Sequence, residues 1–444
     1  MNKHAFSRRT RTARALAITT ALALAVSVGI VSGATQAAPG DFVPRPDYTF
    51  RDANVDAGDR IEGILSLLTL EEKIALATSS PTPGAISRLG LSASSGGATE
   101  AVHGLNSGTA TVFPVPLGFS QSWDKSLLNT IGNDIATEGT SSGSYSWWAP
   151  VMDLARDPRA GRNYELMGED AYLVGQLGIQ MATGMNARTA EDGYIQGIPL
   201  LKHAIGYNVE VNRLWLNSVL PERAKNEYYV KAFKYPIAAG AAKAFMNSYP
   251  LINGKPMSVN PVQRDALTEW TPDYSGTGHN EFATVNDYGS GSSMWVHSQR
   301  YFDDTPSGRA LGLGESLANG QMSWSFRDYG STNALIYDAL ARGVITEADI
   351  EATARRSLSL GLRFGTYDQT EIKNPYILND SDETQAELVQ DHRIDTLRAS
   401  QEQIVLLKNE GSALPLSGSA VTETVLVGGL GEEIGHNNYT PRSP

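Results

Sequence analysis

The sequence predicts an α/β protein built on a parallel (β/α) barrel, with an open doubly wound sheet as the main rival. Helix and strand signals alternate from the capping box at Thr69 to the one at Thr346. Polar residues follow directly on four candidate strands: Asp153, Lys202 with His203, Asn247 to Tyr249, and Asp287. In a barrel those strand ends converge on one mouth, which favours the barrel. Apolar residues make up 41% of the chain and charged residues 19%, enough to build a buried core.

The elements follow in order. Thr69-Leu70-Glu71-Glu72 is a capping box that opens a helix. A second helix starts at Asp124, with Leu127, Leu128, Ile131 and Ile135 at helical spacing, and a third spans Asp170 to Met185 with Leu173, Leu177 and Met181 on one face. Trp147 to Met152, Pro199 to Leu201, Ala244 to Met246 and Phe282 to Val285 are short, apolar and bounded by turns, as strands buried on both faces are. The barrel closes with a helix from Asn333 to Ala341 and another after Thr346-Glu347-Ala348-Asp349, parted by Gly343. The expected organisation is a leader over 1–37, a barrel over 42–370, a linker over 371–393 and the beginning of another α/β unit over 394–444. That last unit opens with helical Asp395 to Gln403, apolar Ile404 to Leu407 and strand-like Thr424 to Val427. Gly429 and Gly431 lack the third glycine and the helix of a dinucleotide loop, so a plain turn is expected there.

Composition narrows the function. The 36 Lys+Arg against 48 Asp+Glu leave a net charge of −12, and no basic block follows the first fifteen residues. That balance argues against duplex nucleic acid and anionic membranes as partners. Without any cysteine, thiolate metal sites and cysteine nucleophiles are excluded, and the 7 histidines lack metal-binding spacing, so no metal is expected. Arg8, Arg9, Arg11 and Arg14 precede an uncharged run from Ala15 to Val31, and Thr35-Gln36-Ala37 offers a cleavage site. A secretory signal peptide is expected, giving an extracellular protein with no membrane partner after cleavage. Its Ser7-Arg8-Arg9 opening leaves both the general and the twin-arginine export routes open.

The most telling local set is Lys202-His203 with Asp287. Nearby positive charge would keep the aspartate ionised, ready to act as a nucleophile or as half of a structural salt bridge.

Ordered motifs carry a more specific signal. They are LTLEEKI at Leu68 to Ile74, EAVHG at Glu100 to Gly104, ATVFP at Ala110 to Pro114, and APVMDLARDPRAGRNYELMGED at Ala149 to Asp170. LLKH at Leu200 to His203, SYPLINGKP at Ser248 to Pro256, Asp287, and IVLLKNEGSALPL at Ile404 to Leu416 complete the series. In these the sequence resembles glycoside hydrolase family 3, the exo-acting β-glucosidases and β-xylosidases. The resemblance implies a TIM-like (β/α)8 barrel, followed by the start of an incomplete α/β sandwich domain. It implies hydrolysis of oligosaccharides with retention of configuration and no cofactor. It also implies Asp287 as nucleophile, Tyr288 beside the sugar, and Glu100, Arg162, Lys202, His203, Tyr249 and Arg213 as sugar-binding residues. The acid/base of this family commonly comes from the second domain, and the sequence stops before that position.

Two departures bear on sugar contacts: Ala160 stands where the family usually has tryptophan, and Pro250 where an asparagine often follows the site tyrosine. Glu100, in place of the aspartate commoner in β-glucosidases, leans toward a xylosidase-like site. His103 is expected as a packed loop histidine, and Glu165 either as a partner that holds Arg162 or as a solvated acid at a helix entry. The competing functional expectation is an inactive fragment or a sugar-binding protein. The N-acetylglucosaminidase branch of the family is disfavoured, because no histidine falls between His203 and His279.

Overall fold

The computed structural model describes residues 48–78, 86–91, 98–106, 109–186, 193–271, 282–286, 305–322, 329–368, 374–376, 382–418, 421 and 423. The leader, Asp287, Tyr288, Thr424 to Val427 and the Gly429/Gly431 turn lie outside the described residues.

Seven short strands are described: β1 (Thr99–Glu100), β2 (Ser146–Trp148), β3 (Ile198–Ala204), β4 (Asn217–Ser218), β5 (Ala244–Asn247), β6 (Leu251–Ile252) and β7 (Ala283–Val285). Five of them form one sheet in the order β1-β2-β3-β5-β7, and every pairing is parallel. The order never reverses, so it contains no switch point of the doubly wound type. It is the winding of a barrel wall, and among the described residues that wall is an open arc of five strands rather than a closed ring of eight. β3, β5 and β7 are buried at every position, as strands covered on both faces must be.

The strand expected over Trp147 to Met152 is interrupted. Pro150 has no N–H to give a ladder, so β2 stops at Trp148, and pairing resumes only as a single bridge from Val151 to Lys202. The expected strands around Leu200, Phe245 and Thr284 are found, with bounds shifted by at most three residues.

The main helices are α1 (Ala57–Leu65), α2 (Leu70–Ala77), α3 (Lys125–Ser141), α4 (Ala171–Asn186), α5 (Val230–Ala238), α6 (Pro306–Ala318), α7 (Tyr329–Ala341), α8 (Glu347–Arg363), α9 (Asp382–Asp391) and α10 (Arg393–Glu402). Their starts follow local chemistry. Thr69 and Glu72 close a reciprocal capping box on α2, Thr346 and Asp349 do the same on α8, and the Asp124 carboxylate caps α3 by accepting the N–H groups of Ser126 and Leu127. α3 and α4 touch through glycine. A Cβ on Gly132 would strike the Met181 carbonyl oxygen, and one on Gly184 that of Asn129. The two backbones therefore meet closely enough to exclude side chains. Leu127, Leu128, Ile131, Leu177 and Met181 complete this part of the core.

α9 falls inside the segment expected as a linker. It is helical because it is docked. The Ser141 hydroxyl of α3 bonds the side chain of Gln385, and the Gln385 amide donates to the Thr109 carbonyl at 3.0 Å. Between α9 and α10, His392 sets Nδ1 2.6 Å from Glu138 and Nε2 3.5 Å from Asp134, both on α3. Beyond α10 the chain forms no strand among the described residues, and Ile404 to Leu407 are exposed.

Gly184→Ala is expected to lower stability by about 1–3 kcal/mol, although alanine favours a helix interior, because the Asn129 carbonyl cannot retreat. A urea titration showing an unchanged or higher midpoint would contradict the close-contact account. Burial lowers the His392 pKa, but the Glu138 hydrogen bond and the charges of Asp134, Glu138 and Asp395 more than offset it, so the net shift is upward. A raised histidine contributes stability that is complete below its unfolded value of 6.5 and is lost as pH rises through the raised folded value. The stability advantage of the parent protein over His392→Gln should thus be largest below pH 6.5 and shrink above it, which paired urea titrations across pH will show.

Candidate active site

The C-terminal ends of β1, β2, β3 and β5 deliver polar side chains to one place. Glu100 ends β1, Lys202 and His203 sit near the end of β3, and Asp153 and Tyr249 lie just beyond β2 and β5. A tight turn at Asn163–Glu165 adds Arg162 and Glu165.

Glu165 is the centre of the charge pattern. It is fully buried, and both its oxygens accept from the Arg162 guanidinium at 2.6 Å, a forked arrangement with high directional specificity. The Lys202 ammonium lies 3.8 Å from Glu165 and donates to Glu100 at 2.6 Å. Burial pushes the Glu100 carboxyl upward, opposed by the adjoining Lys202.

His203 stands beside this network. Asp153 Oδ2 accepts the His203 backbone N–H at 2.8 Å and lies 2.7 Å from Nδ1. Burial, together with Arg162, Lys202 and Arg213, pushes the imidazole well below its ordinary value. The rings of Tyr207 and Tyr249 flank it at 4.9 and 5.9 Å. Arg213 lies 4.0 Å over the Tyr249 ring and donates to Glu210 at 2.7 Å and to the Tyr207 hydroxyl at 2.9 Å.

Two loops make this wall rigid. The loop after β3 and the loop after β5 pair with each other through β4 and β6. Asn253 then reaches across to the N–H and carbonyl of Leu220, while Asn217 accepts from the Gly254 N–H. Arg213 and Tyr249 are held on these two loops.

A cleft opens here, lined among others by Asp153, Ala160, Arg162, His203, Tyr207 and Glu210.

Residues 92–270 match the family model described as the glycosyl hydrolase family 3 N terminal domain. Over that stretch the chain is similar to the N-terminal domain of glycosyl hydrolase family 3. It is 26% identical over 439 residues to a β-xylosidase/α-L-arabinofuranosidase of Medicago sativa subsp. varia, covering 91% of this chain and 53% of that relative. It is 27% identical to a β-glucosidase of Rhizobium radiobacter, covering 83% of this chain and 41% of that protein. The solved structure of a family 3 exo-β-xylosidase in complex with a xylobiose aziridine probe superposes with a TM-score of 0.68 at 25% identity, covering 83% of this chain and 48% of that one. The chain thus spans about half the length of the relatives it matches.

Of the residues that the family resemblance singled out, Glu100, Arg162, Lys202, His203, Tyr249 and Arg213 are gathered within this one site. Asp287, expected as nucleophile, and its neighbour Tyr288 lie outside the described residues. Asn286, which immediately precedes them, is buried after β7 and accepts from Asn247 at 3.1 Å. His103 is a packed loop histidine, buried with Nδ1 donating to the Phe113 carbonyl at 3.0 Å. Glu165 is a buried partner of Arg162, and the solvated reading of it is corrected. Sequence reasoning missed Tyr207 and Glu210. Their one signal is position, a few residues past the LLKH strand end. Among the described residues no set of three His, Cys, Asp or Glu side chains could hold a metal ion, and no helix is long and apolar enough to cross a membrane.

Replacing Glu165 by Gln removes the buried counter-charge of Arg162, and is expected to destabilise the fold by about 3–5 kcal/mol. Chemical denaturation of the two proteins measures this, and a loss under about 1 kcal/mol, the surface-pair range, would show that water reaches the pair.

Proposed function

We propose that this protein is a secreted, retaining exo-β-glycosidase that removes terminal β-linked glucose or xylose from oligosaccharides, with Asp287 as nucleophile. The observation that carries the reading is the cluster of Glu100, Lys202, Arg162 and His203 at the C-terminal ends of β1 and β3. A sugar presents a ring of hydroxyls. Carboxylate acceptors and cationic donors bind such a ring through charge-assisted hydrogen bonds, turning binding into orientation. An anionic Asp287 would then stabilise the oxocarbenium-like transition state and trap the glycosyl group.

Retention requires a second carboxyl group to protonate the leaving oxygen and later activate water. Among the described residues lining the site, Glu100, Glu165 and Glu210 are each engaged by a cation, and Asp153 is tied to His203. This supports an acid/base from another part of the protein. The longer Glu100 side chain, together with the β-xylosidase similarity, favours xylose over glucose, because it leaves less room for a hydroxymethyl arm.

Aryl β-xylosides and β-glucosides with strongly acidic leaving groups need no protonation, so they test the nucleophile without the acid/base. Asp287→Asn should reduce aryl release by roughly three orders of magnitude or more, and azide should trap a β-glycosyl azide from the parent protein. Folded protein that releases no aryl group from either glycoside, with or without azide, would sink the proposal.

A further inference from the structure

Asp153 is buried at the base of the cleft and bonds His203 twice with a single oxygen, once to the main-chain N–H and once to Nδ1. A carboxyl group in such a place costs desolvation, and an apolar side chain would pack the ring as well. The double bond to one residue instead fixes both the rotamer and the protonation of that residue. The contact between Oδ2 and Nδ1 then sets the neutral ring: a protonated Asp153 donates to Nδ1 and leaves the ring N–H on Nε2, whereas an ionised Asp153 accepts from Nδ1–H and leaves Nε2 bare. Resting on the glycosidase reading, we propose that Asp153 is a positioning residue that holds His203 with its Nε2–H presented to a hydroxyl of the bound sugar.

The surroundings agree. Arg162, Lys202 and Arg213 face the imidazole and oppose a further positive charge, while Glu165 adds a negative charge near Asp153. The Tyr207 and Tyr249 rings and Glu210 complete the walls. Burial pushes the Asp153 carboxyl up to about 8. Asp153 therefore keeps its proton through neutral pH and donates it to Nδ1, which leaves the ring N–H on Nε2. Above that value the ring hydrogen lies on Nδ1 against an ionised Asp153, and Nε2 is left bare, an acceptor where the sugar had met a donor.

The test is nitrogen NMR of the histidine-labelled protein, with the His203 signal assigned by its loss in His203→Gln. In the parent protein Nε2 should be protonated at pH 6.5 and become bare above pH about 8. In Asp153→Asn the amide oxygen still accepts both N–H groups, so Nε2 should be bare throughout. Calorimetry should then show xylose or glucose binding weakened by about tenfold, the loss of one hydrogen bond to a polar site. A bare Nε2 in the parent protein at pH 6.5 overturns the inference, and so does an Asp153→Asn protein with unchanged ring protonation or unchanged sugar affinity. Should that variant fail to fold, the titration of the parent protein decides. Failure of the parent protein to bind either sugar would count against the glycosidase reading instead, since the protonation of His203 is read without sugar.

Discussion

The site depends on one buried counter-charge. Arg162 and Lys202 both converge on Glu165, in a region from which water is largely excluded. Unpaired, two cations so placed would repel each other and resist burial. With both oxygens of Glu165 occupied by the Arg162 fork, Lys202 makes its shorter contact with Glu100, and this links the end of β1 to the end of β3. Charge balance is thus what lets these strand ends come together.

The sheet supplies the positions and the charges supply the orientation. Parallel strands place all their C-terminal ends on one side, so residues far apart in sequence become neighbours without any special loop. The same arrangement explains why the polar side chains there are so thoroughly paired. Each group brought to a crowded, partly dry mouth must find a partner, and those partners fix its direction before any ligand arrives.

Much of this was legible from local chemistry. Thr69 with Glu72, Asp124, and Thr346 with Asp349 mark helix starts because a cap is satisfied within three or four residues. Glu100, Lys202 and His203 were legible because they stand in ordered motifs at strand ends. Tyr207 and Glu210 were not, since their importance comes from the Arg213 they hold and the ring they face. The role of Asp153 toward His203 spans fifty positions of chain and leaves no periodic trace. Helix α9 was hidden for a similar reason. Its DETQAELVQD sequence has a weak apolar stripe, and beside the buried Val389 it docks through Gln385 and the adjoining His392. The interruption at Pro150 was readable in principle, since a missing N–H is a covalent fact, but the apolar run around it masks the break.

The small pairing of β4 with β6 has a wider consequence. It joins two loops that in a barrel are ordinarily free to vary separately, and it does so through main-chain bonds reinforced by Asn217 and Asn253. The stations of Arg213 and Tyr249 then shift together or not at all. An insertion in either loop would displace the cation and the aromatic ring as one piece, so substrate preference on this side of the cleft is set by a single mechanical unit rather than by independent parts.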